Sequence, residues 1–393
     1  MTKDENIKLC IVDKWVKFET ITWSGSDNQA SREITFTLPS NPYDKNFEKI
    51  NVKLGDLVYL YNGKDQLFLG TVTDRQKPAE AGATTYTARD FMHYLLRSNT
   101  TKKFKKKTPE KITTAVCKEV GIGTTALAKT KLNIPSIWFE DQCIYDIIIK
   151  VYRKAKAQTN KKYMPVMVGK KLSVIEKGKD SKVTLDQAVD ITSANYHDTT
   201  DNMIDLVRIY NSKMKQVGKV DNKKQVATYG TYQATYKKEK GVDAKKEAKA
   251  MLVGITKEAS VEAVGDIRAI AGRSLEIHDK ATGLSGKFYI QSDQHNFQDG
   301  VHTMTLELSW SNTMEESSAQ SSKDKGKKEI TNKAKAYYLD SSRVYHSSKS
   351  CSACKGKNNV KTSTVAEMKK IKVTRGKNKG KRKYKACAKC WVT

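Results

Sequence analysis

The sequence predicts a mainly β protein with an α/β insert and a small cysteine-rich module at its C-terminus. Short runs of β-branched and aromatic residues, many of alternating polarity, fill residues 1–97 and 183–312. Between them, residues 98–182 place apolar side chains at helical spacing. Four cysteines in two CxxC pairs fall within residues 337–393, after a polar linker at 313–336. The chain is therefore predicted to hold two β modules, an α/β module, the linker and a terminal module.

The first β module, residues 1–97, is predicted from six short apolar runs. These strands cover 7–12, 20–23, 32–38, 56–61, 67–72 and 84–87. The turn Asn62-Gly63-Lys64-Asp65 separates two of them and is typical of a β-hairpin. In residues 89–97 the apolar side chains Phe91, Tyr94 and Leu95 then recur at the spacing of a helix. Short strands at this spacing predict a barrel-like or sandwich domain.

The α/β insert, residues 98–182, has clear helix signals. Thr108 is a suitable N-cap and Pro109 suits the first helical position, so a helix is predicted to about Val120. A second, amphipathic helix is predicted over 141–156. Two β runs flanking Gly169-Lys170 predict a hairpin.

The second β module, residues 183–312, returns to strand patterns and is also predicted to be barrel-like. The predicted strands cover 206–210, 224–236, 273–278, 286–291 and 302–308, and a short helix is predicted at 244–252.

Length and composition exclude several classes of protein. The chain has 393 residues, with 72 Lys and Arg against 43 Asp and Glu and a net charge of +29. It has no apolar run of about 18 residues and begins with a polar segment, so we expect a chain without a membrane span or secretion signal, made in a cytosol. Proline and glycine are too sparse for collagen, and seven cysteines are too few for a disulfide scaffold.

The positive charge is concentrated near the C-terminus. Residues 323–393 hold 22 Lys and Arg against four Asp and Glu, and a second run of five lysines lies at 102–107. Such runs favour contact with a polyanion, for example nucleic acid, anionic lipid or cell-wall polymer. They also suit a lysine-rich surface that only keeps the protein soluble. Because lysine greatly outnumbers arginine, specific nucleic-acid binding is not expected.

The two CxxC pairs are the strongest chemical signal in the chain. Cys351 and Cys354 form the first pair, and Cys387 and Cys390 form the second after 32 intervening residues. Four thiolates at this spacing predict a structural zinc site and a zinc-ribbon-like module, with the second pair delivered by a hairpin of residues 368–374 and 381–386. A metal would also stabilise a module with few apolar residues. Two disulfides or free thiols remain alternatives.

The other three cysteines, Cys10, Cys117 and Cys143, have apolar neighbours and are predicted to be buried hydrophobic residues. His295 is predicted to be structural rather than catalytic. The acids Glu140 and Asp141 are predicted to mark a helix start rather than a sugar-binding cleft. The sequence shows no Gly-rich phosphate loop and no GxSxG or HExxH motif.

Several segments resemble one protein family. In the second half they are 244–252, 265–273, 286–290, 295–300 and 303–308, and in the first half 52–56 and 68–72. These segments are similar to the baseplate hub proteins of contractile phage tails, the late control protein D family, which includes proteins of defective prophages and of tail-type bacteriocins. The likeness covers about residues 1–312. The terminal module also resembles small bacterial modules in which one histidine and three cysteines bind the metal, and this resemblance implies that His346 could replace Cys351 or Cys354.

The resemblance implies a non-enzymatic homotrimer in the baseplate of a virion or bacteriocin tail, assembled in the host bacterial cytoplasm. Each chain would supply two tube-like β-barrel domains, so that three chains join a sixfold tail tube to a threefold central spike. The implied partners are the tail tube, tail spike and tape measure proteins and other baseplate proteins, with a possible contact to the anionic cell wall. Two alternative functions are a nucleic-acid-binding protein that uses the basic zinc module, and a component of a cell-wall hydrolase.

Overall fold

The structure is a computed structural model of the 393-residue chain. It describes residues 6–27, 29–41, 43–44, 46, 50–77, 82–239, 242–314, 328–329, 335–339, 344–347, 359–371, 384–386 and 391–392. The chain forms two compact units. Unit 1 contains Met1–Asp90 and Lys177–Thr313, and unit 2 contains Phe91–Glu176 and Met314–Thr393. The α/β insert, which separates the two β segments of unit 1 in sequence, thus belongs to unit 2 together with the C-terminal segment.

The elements are given in chain order. The first β segment contains β1 Ile7–Ile11, β2 Lys14–Val16, β3 Thr20–Ser26, β4 Glu33–Ser40, β5 Leu57–Asn62, β6 Asp65–Gln76 and β7 Gly82–Asp90. The insert contains α1 Met92–Arg97, β8 Asn99–Lys107, α2 Pro109–Glu119, β9 Gly123–Leu127, β10 Ile134–Cys143, α3 Ile144–Thr159, β11 Tyr163–Val168 and β12 Lys171–Glu176.

The remaining elements complete the two units. The second β segment contains β13 Lys179–Asp186, β14 Ile191–Thr199, β15 Leu206–Tyr210, β16 Gln216–Asp221, α4 Lys223–Tyr229, β17 Gln233–Lys237, α5 Ala244–Ala250, β18 Thr256–Val264, β19 Arg273–His278, β20 Ser285–Gln298 and β21 Val301–Ser309. The C-terminal segment contains β22 Lys328–Glu329, β23 Lys335–Tyr338, β24 Val344–His346, β25 Lys361–Thr364, α6 Val365–Lys370, β26 Lys385–Ala386 and β27 Trp391–Val392.

A single 13-stranded sheet runs through both β segments of unit 1. Its main path is β14-β18-β21-β20-β3-β4-β7-β6-β5-β1-β2. Strand β19 also pairs with β20, and β13 pairs with β19. The two segments are joined by the antiparallel pairing of β20 with β3, which places Trp23 opposite His295. Among the described strands the path is open and ends at β14 and β2. The mainly β prediction is confirmed, and among the described strands the two segments share one sheet in which no closed barrel is shown.

Two hydrophobic cores lie along this sheet. Strands β3 and β4 alternate buried and half-buried residues, as expected for strands with one face on a core. The first core packs Ile34, Phe36 and Leu60 with other side chains of the first segment and with Phe297 from β20. The second core contains Ile290 and its neighbours from the second segment. Each β segment therefore has its own core, and β20 contributes to both.

A smaller subdomain in the second segment is built from β15, β16 and β17 with α5. Strand β15 pairs with β16 antiparallel and with β17 parallel. Its small core contains Val207, Ile209 and Ala248. The prediction of a strand over 224–236 is wrong in its first half. Asn222 caps helix α4 by accepting a hydrogen bond from the Gln225 backbone, so a strand begins only at Gln233.

The insert in unit 2 follows the predicted helices closely. Thr108 caps α2 by accepting a hydrogen bond from the backbone of Lys111, as predicted. Helix α3 begins at Ile144 and ends at Thr159, and the next residue, Asn160, caps it in a left-handed conformation. The hairpin β11–β12 is confirmed. The antiparallel pair β8–β10 was not predicted from the sequence. Strand β8 is rich in lysine and has one buried residue, Phe104, so it lacks the alternation of apolar and polar residues that indicates a strand.

The C-terminal segment of unit 2 contains a four-stranded sheet in the order β25-β23-β24-β26, with a small core around Tyr345, Val365 and Met368. The prediction of a strand beginning at Met368 is wrong, because Met368 lies in α6. That helix starts with a capping box between Thr364 and Glu367. Among the helices of the described part of the chain, none combines the length and apolar character needed to cross a membrane.

Candidate functional site

The polar face of the unit 1 sheet is continuous across both β segments. One row of directly paired residues runs Asn195, Ser260, Glu307, Ser292 and Ser26, from β14 to β3. Residues that pair directly lie on the same face of a sheet. The Ser292 hydroxyl donates to Oε2 of Glu307 over 2.7 Å. The two segments therefore present one shared surface.

This face differs in charge from the chain as a whole. Across β14, β18, β21, β20 from Ser292 onward, β3, β4 and β7, its side chains are mainly hydroxyls and amides. They are Ser193, Asn195, His197, Glu258, Ser260, Glu262, Thr303, Thr305, Glu307, Ser292, Gln294, Asn296, Gln298, Thr20, Thr22, Ser24, Ser26, Glu33, Thr35, Thr37, Thr85, Thr87 and Arg89. These rows contain four glutamates and one arginine but no lysine, in a chain of net charge +29. We call them the polar sheet face.

A buried ion pair fastens the junction between the two segments. The Arg32 guanidinium donates to both oxygens of Asp293, with Nη1 to Oδ1 at 2.9 Å and Nη2 to Oδ2 at 2.5 Å. The Asp293 side chain is fully buried, and its Oδ1 also accepts a hydrogen bond from the Ala271 backbone. Burial alone would raise the pKa of Asp293, but Arg32 and His295 lower it to about 2. The carboxylate is therefore held in its charged form.

His295 lies beside this ion pair and is completely buried. Its Nδ1 is 3.0 Å from Nε2 of His302, and its Nε2 is 3.2 Å from the Ala269 carbonyl oxygen. The ring packs 5.0 Å from Trp23, centroid to centroid. Burial lowers the pKa of His295, although Asp293 opposes this effect. These contacts agree with the predicted structural role.

A second buried ion pair lies where the chain re-enters unit 1. The Lys177 ammonium contacts the Asp27 carboxylate and donates to the Thr313 carbonyl oxygen over 2.7 Å. Both charged side chains are almost fully buried. These contacts join three positions that are far apart in the sequence. They are the residue after β3, the start of the second β segment and the last residue of unit 1.

The predicted metal site is only partly within the described residues. Cys351, Cys354, Cys387 and Cys390 lie outside them. His346 is described and lies on β24, buried and opposite Tyr337. No group of metal-binding side chains occurs among the residues that the structure describes. The zinc site therefore stays a prediction.

The other predicted positions are all described. Cys10 and Cys117 are buried, and Cys143 is half-buried. Burial raises the pKa of Cys117 to about 12, so this thiol stays neutral. Glu140 and Asp141 do not start a helix, because they lie within β10 at the bulge between Phe139 and Gln142, where Asp141 has a φ of +48°. Helix α3 begins three residues later.

The charge of the chain is divided unevenly between the units. Unit 1 holds 32 Lys and Arg against 31 Asp and Glu, so it is almost neutral. In unit 2, Phe91–Glu176 holds 18 basic against six acidic residues, and Met314–Thr393 holds 22 against six. The C-terminal excess and the lysine run at 102–107 are visible in the sequence. Only the division into units shows that nearly all of the net charge lies in unit 2.

Sequence comparison finds relatives along most of the chain. The model of the YQBQ-like family matches residues 21–309. The chain is 26% identical over 316 residues to the uncharacterised protein YqbQ of Bacillus subtilis strain 168, covering 75% of this chain and 93% of YqbQ. It is also 26% identical over 317 residues to XkdQ, a protein of the phage-like element PBSX in the same strain, covering 77% of this chain and 96% of XkdQ.

Solved structures of tail proteins share the fold. The 43 kDa tail protein of prophage MuSo2 from Shewanella oneidensis matches with a TM-score of 0.61 at 14% identity, covering 77% of this chain and 97% of that protein. A tail protein from Neisseria meningitidis MC58 matches with a TM-score of 0.56 at 12% identity, covering 77% and 95%. At this level of identity the likeness concerns the fold alone.

Proposed function

Because the chain belongs to the YQBQ-like family, we propose that it is a structural protein of a contractile phage-like tail and forms the baseplate hub. Its relative XkdQ belongs to a phage-like element, and two proteins of the same fold are tail proteins. The observation that carries the proposal is the single sheet of unit 1, which fuses two β segments with separate cores into one continuous surface.

The proposed hub is a homotrimer. Two β segments per chain give six in a trimer, which is the number needed to match a sixfold tube above a threefold spike. The main path of the sheet in each chain ends at β14 and β2, and its side branch ends at β13, among the described strands. Free edges of this kind can pair with a neighbouring copy, and a closed ring would cover all of them. Closure of the β segments into tube-like barrels would then be a property of the trimer.

The proposed action is mechanical and involves no catalysis. The hub would hold the tail tube, tape measure and spike proteins and other baseplate proteins on one axis in the tail. Binding energy would come from large interfaces between rigid β surfaces. The buried ion pair of Arg32 and Asp293 would keep the junction of the two β segments rigid under load.

The oligomeric state tests this proposal directly. We expect analytical ultracentrifugation of the purified chain, over a wide concentration range, to show a species of three times the 44.2 kDa chain mass. Cryo-electron microscopy of that species should show threefold symmetry with six β segments around one axis. A dimer, or a monomer at every concentration tested, would contradict the trimeric hub while leaving the family membership intact.

We also propose a structural zinc ion on Cys351, Cys354, Cys387 and Cys390, with His346 as the substitute for Cys351 or Cys354. The support is the spacing of the two CxxC pairs and the burial of His346, which lies five residues before Cys351. Native mass spectrometry should find one zinc per chain that a strong chelator removes. Cys387→Ser should lose the metal, whereas the control Cys117→Ser should keep it. A metal-free chain about four mass units lighter than the fully reduced chain, from the loss of four thiol hydrogens, would indicate two disulfides instead.

A second candidate function is contact with an anionic polymer of the cell wall, which the excess positive charge of unit 2 favours. Co-sedimentation with purified cell walls should fall steeply as salt is raised. Binding that does not change with salt would argue against this candidate.

A further inference from the structure

A cavity of about 350 Å³ lies within unit 2, between β8 and α2. Its lining combines an apolar floor with a rim of three lysines. The lining residues are Phe104, Lys107, Glu110, Lys111, Thr114, Ala115 and Lys118. We call it the β8–α2 pocket, and its volume lies within the range of ligand-binding sites.

The sequence of α2 explains how the pocket forms. Lys111, Thr114, Ala115 and Lys118 follow one another at the spacing of a single helix face. The opposite face carries Ile112, Val116 and Cys117, all completely buried. The pocket face of α2 therefore faces away from the core and places a small apolar residue between two lysines.

The floor of the pocket is fixed by aromatic packing. The Phe104 side chain projects from β8, is 7% exposed and meets Phe139 edge to face, with ring centroids 6.3 Å apart. Phe139 is buried on the paired strand β10. Because both rings are held by the sheet, the floor is preformed rather than created on binding.

The one carboxylate of the lining is engaged elsewhere. Glu110 Oε1 accepts hydrogen bonds from the backbone and hydroxyl of Thr130. Burial alone would raise the pKa of Glu110, but hydrogen bonds from Thr108 and Thr130 lower it. Glu110 is thus an ionised group whose carboxylate faces Thr130 in the segment between β9 and β10.

The rim lysines have no acidic partner in the described part of the chain. Lys107, Lys111 and Lys118 form no ion pair there, in contrast to the nearby Lys102, which pairs with Glu119. The surrounding Phe91–Glu176 segment holds 18 basic against six acidic residues. Three cations around an apolar floor therefore face solvent within a strongly positive region.

We propose that the β8–α2 pocket binds an acidic segment of a partner protein, with one large apolar side chain of that segment in the cavity. Charge complementarity selects the acidic partner, and the apolar floor supplies the anchor site that dominates many interfaces. A phosphate polymer would satisfy the lysines but would leave the apolar floor uncovered. This inference goes beyond the tail role and does not depend on it.

A simpler explanation assigns the lysines to protection of a strand edge against aggregation. It fits the exposed lysines of β8. It does not explain Lys111 and Lys118, because these belong to a helix face, nor the cavity between them.

The test is fluorescence anisotropy with a labelled hexapeptide that has four glutamates around a central leucine-phenylalanine pair, added to the full chain. A control peptide carries two serines in place of that pair, and a 12-residue oligothymidylate tests for a phosphate polymer. The variants are Lys111→Glu and Lys118→Glu. Lys154→Glu is the matched control, because Lys154 is an exposed helical lysine of the same unit outside the pocket.

We expect each pocket variant to weaken binding of the apolar peptide about tenfold, the equivalent of one lost charge contact plus one repulsion. Lys154→Glu should change it less than about twofold, and the serine peptide should bind at least about fivefold more weakly. Circular dichroism should be the same for all variants, since the changed side chains are exposed. Equal affinity for both peptides, equal effects of the three variants, or tighter binding of the oligothymidylate would overturn the proposal.

Discussion

Arg32 and Asp293 lie 261 residues apart in the sequence, yet they form a bidentate ion pair in the structure. Neither residue stands out in the sequence, because each is one of many charges in a polar stretch. The same holds for Lys177 and Asp27. His295 is predicted to be structural because it lies near a loop with no base or metal partner nearby in sequence. Its partner His302 comes from the adjoining strand of the β20–β21 hairpin, whereas the neighbouring Trp23 depends on a pairing of distant strands that no local pattern encodes. At this scale the sequence predicts residue roles better than residue partners.

Removal of the Asp293 charge should destabilise unit 1. Asp293→Asn leaves the Arg32 guanidinium with a weaker partner at a largely buried site, and breaking such a pair costs about 3 kcal/mol or more. The measurement is urea unfolding followed by tryptophan fluorescence, since the Arg32 guanidinium lies 4.3 Å from the Trp23 ring centroid. The control Asp180→Asn, in an exposed pair with Lys182, should leave the midpoint unchanged. Equal midpoints for wild type and Asp293→Asn would refute the structural role of this pair.

Acidification should weaken unit 1 through His295. Burial lowers the pKa of His295 in the folded state, so below its ordinary value of 6.5 the unfolded chain takes up a proton that the folded chain resists. Stability should therefore fall as the pH drops from about 7.5 to 5, where Asp293, with a pKa of about 2, remains charged. His295→Gln should show a smaller fall in its urea midpoint over the same range, with Arg32, Asp293 and His302 retained. A fall of the same size in both proteins would mean that other groups control the pH dependence.

Among the elements, those with local chemical signals were predicted correctly. Helix α2 has a capping threonine, a first-turn proline and helical spacing, and its bounds agree with the prediction within a residue. Helix α4 was missed because apolar residues and tyrosines suggested a strand, whereas the cap at Asn222 decided the local structure. Strand β8 was missed because its lysines conceal the alternation that usually reveals a strand. The pockets and the order of strands in the sheet could not be predicted from the sequence, because they depend on contacts between distant segments.

A close approach of two strands makes Gly70 in β6 sensitive to substitution. A methyl group at Gly70 would lie 2.2 Å from the Arg89 carbonyl oxygen on the β6–β7 interface, which is far inside van der Waals contact. Gly70→Ala should therefore destabilise unit 1 by about 2 kcal/mol or more, because backbone atoms must shift. Gly218→Ala in β16 is the matched control, since its nearest neighbour would be Ile209 Cδ1 at 3.7 Å. Urea midpoints of the two variants should differ clearly, and equal midpoints would contradict this packing.

For the molecule as a whole, the division of charge is the main property that sequence inspection did not resolve. A near-neutral unit 1 presents the polar sheet face, which lacks lysine, while unit 2 holds the excess of lysine and arginine. Total charge and its C-terminal excess were visible in the composition, but their assignment to units required knowing that residues 91–176 leave the β sheet. The family assignment, in turn, rests on similarity along residues 21–309 rather than on any catalytic motif.

This division predicts unequal effects of charge reversal on polyanion binding. The double variant Lys129→Glu and Lys154→Glu in unit 2 should elute from heparin at lower salt than the double variant Lys223→Glu and Lys280→Glu in unit 1. The reason is that charges within about one Debye length act together on a polyanion. We expect the reduction in eluting salt to be about twofold larger for the unit 2 variant. Equal reductions would show that heparin responds only to net charge.

The pairing of β3 with β20 has a consequence for synthesis of the chain. Thr22 and Asn296, which hydrogen bond across this junction, are 274 residues apart. At about 5–20 residues per second, a ribosome needs roughly 15 to 55 seconds to make the intervening chain. During that time β3 has already emerged while the strand that will cover its edge does not yet exist. The β3 edge of the nascent N-terminal sheet therefore stays without its β20 partner for that time, and the order in which the two β segments leave the ribosome limits how early unit 1 can be completed.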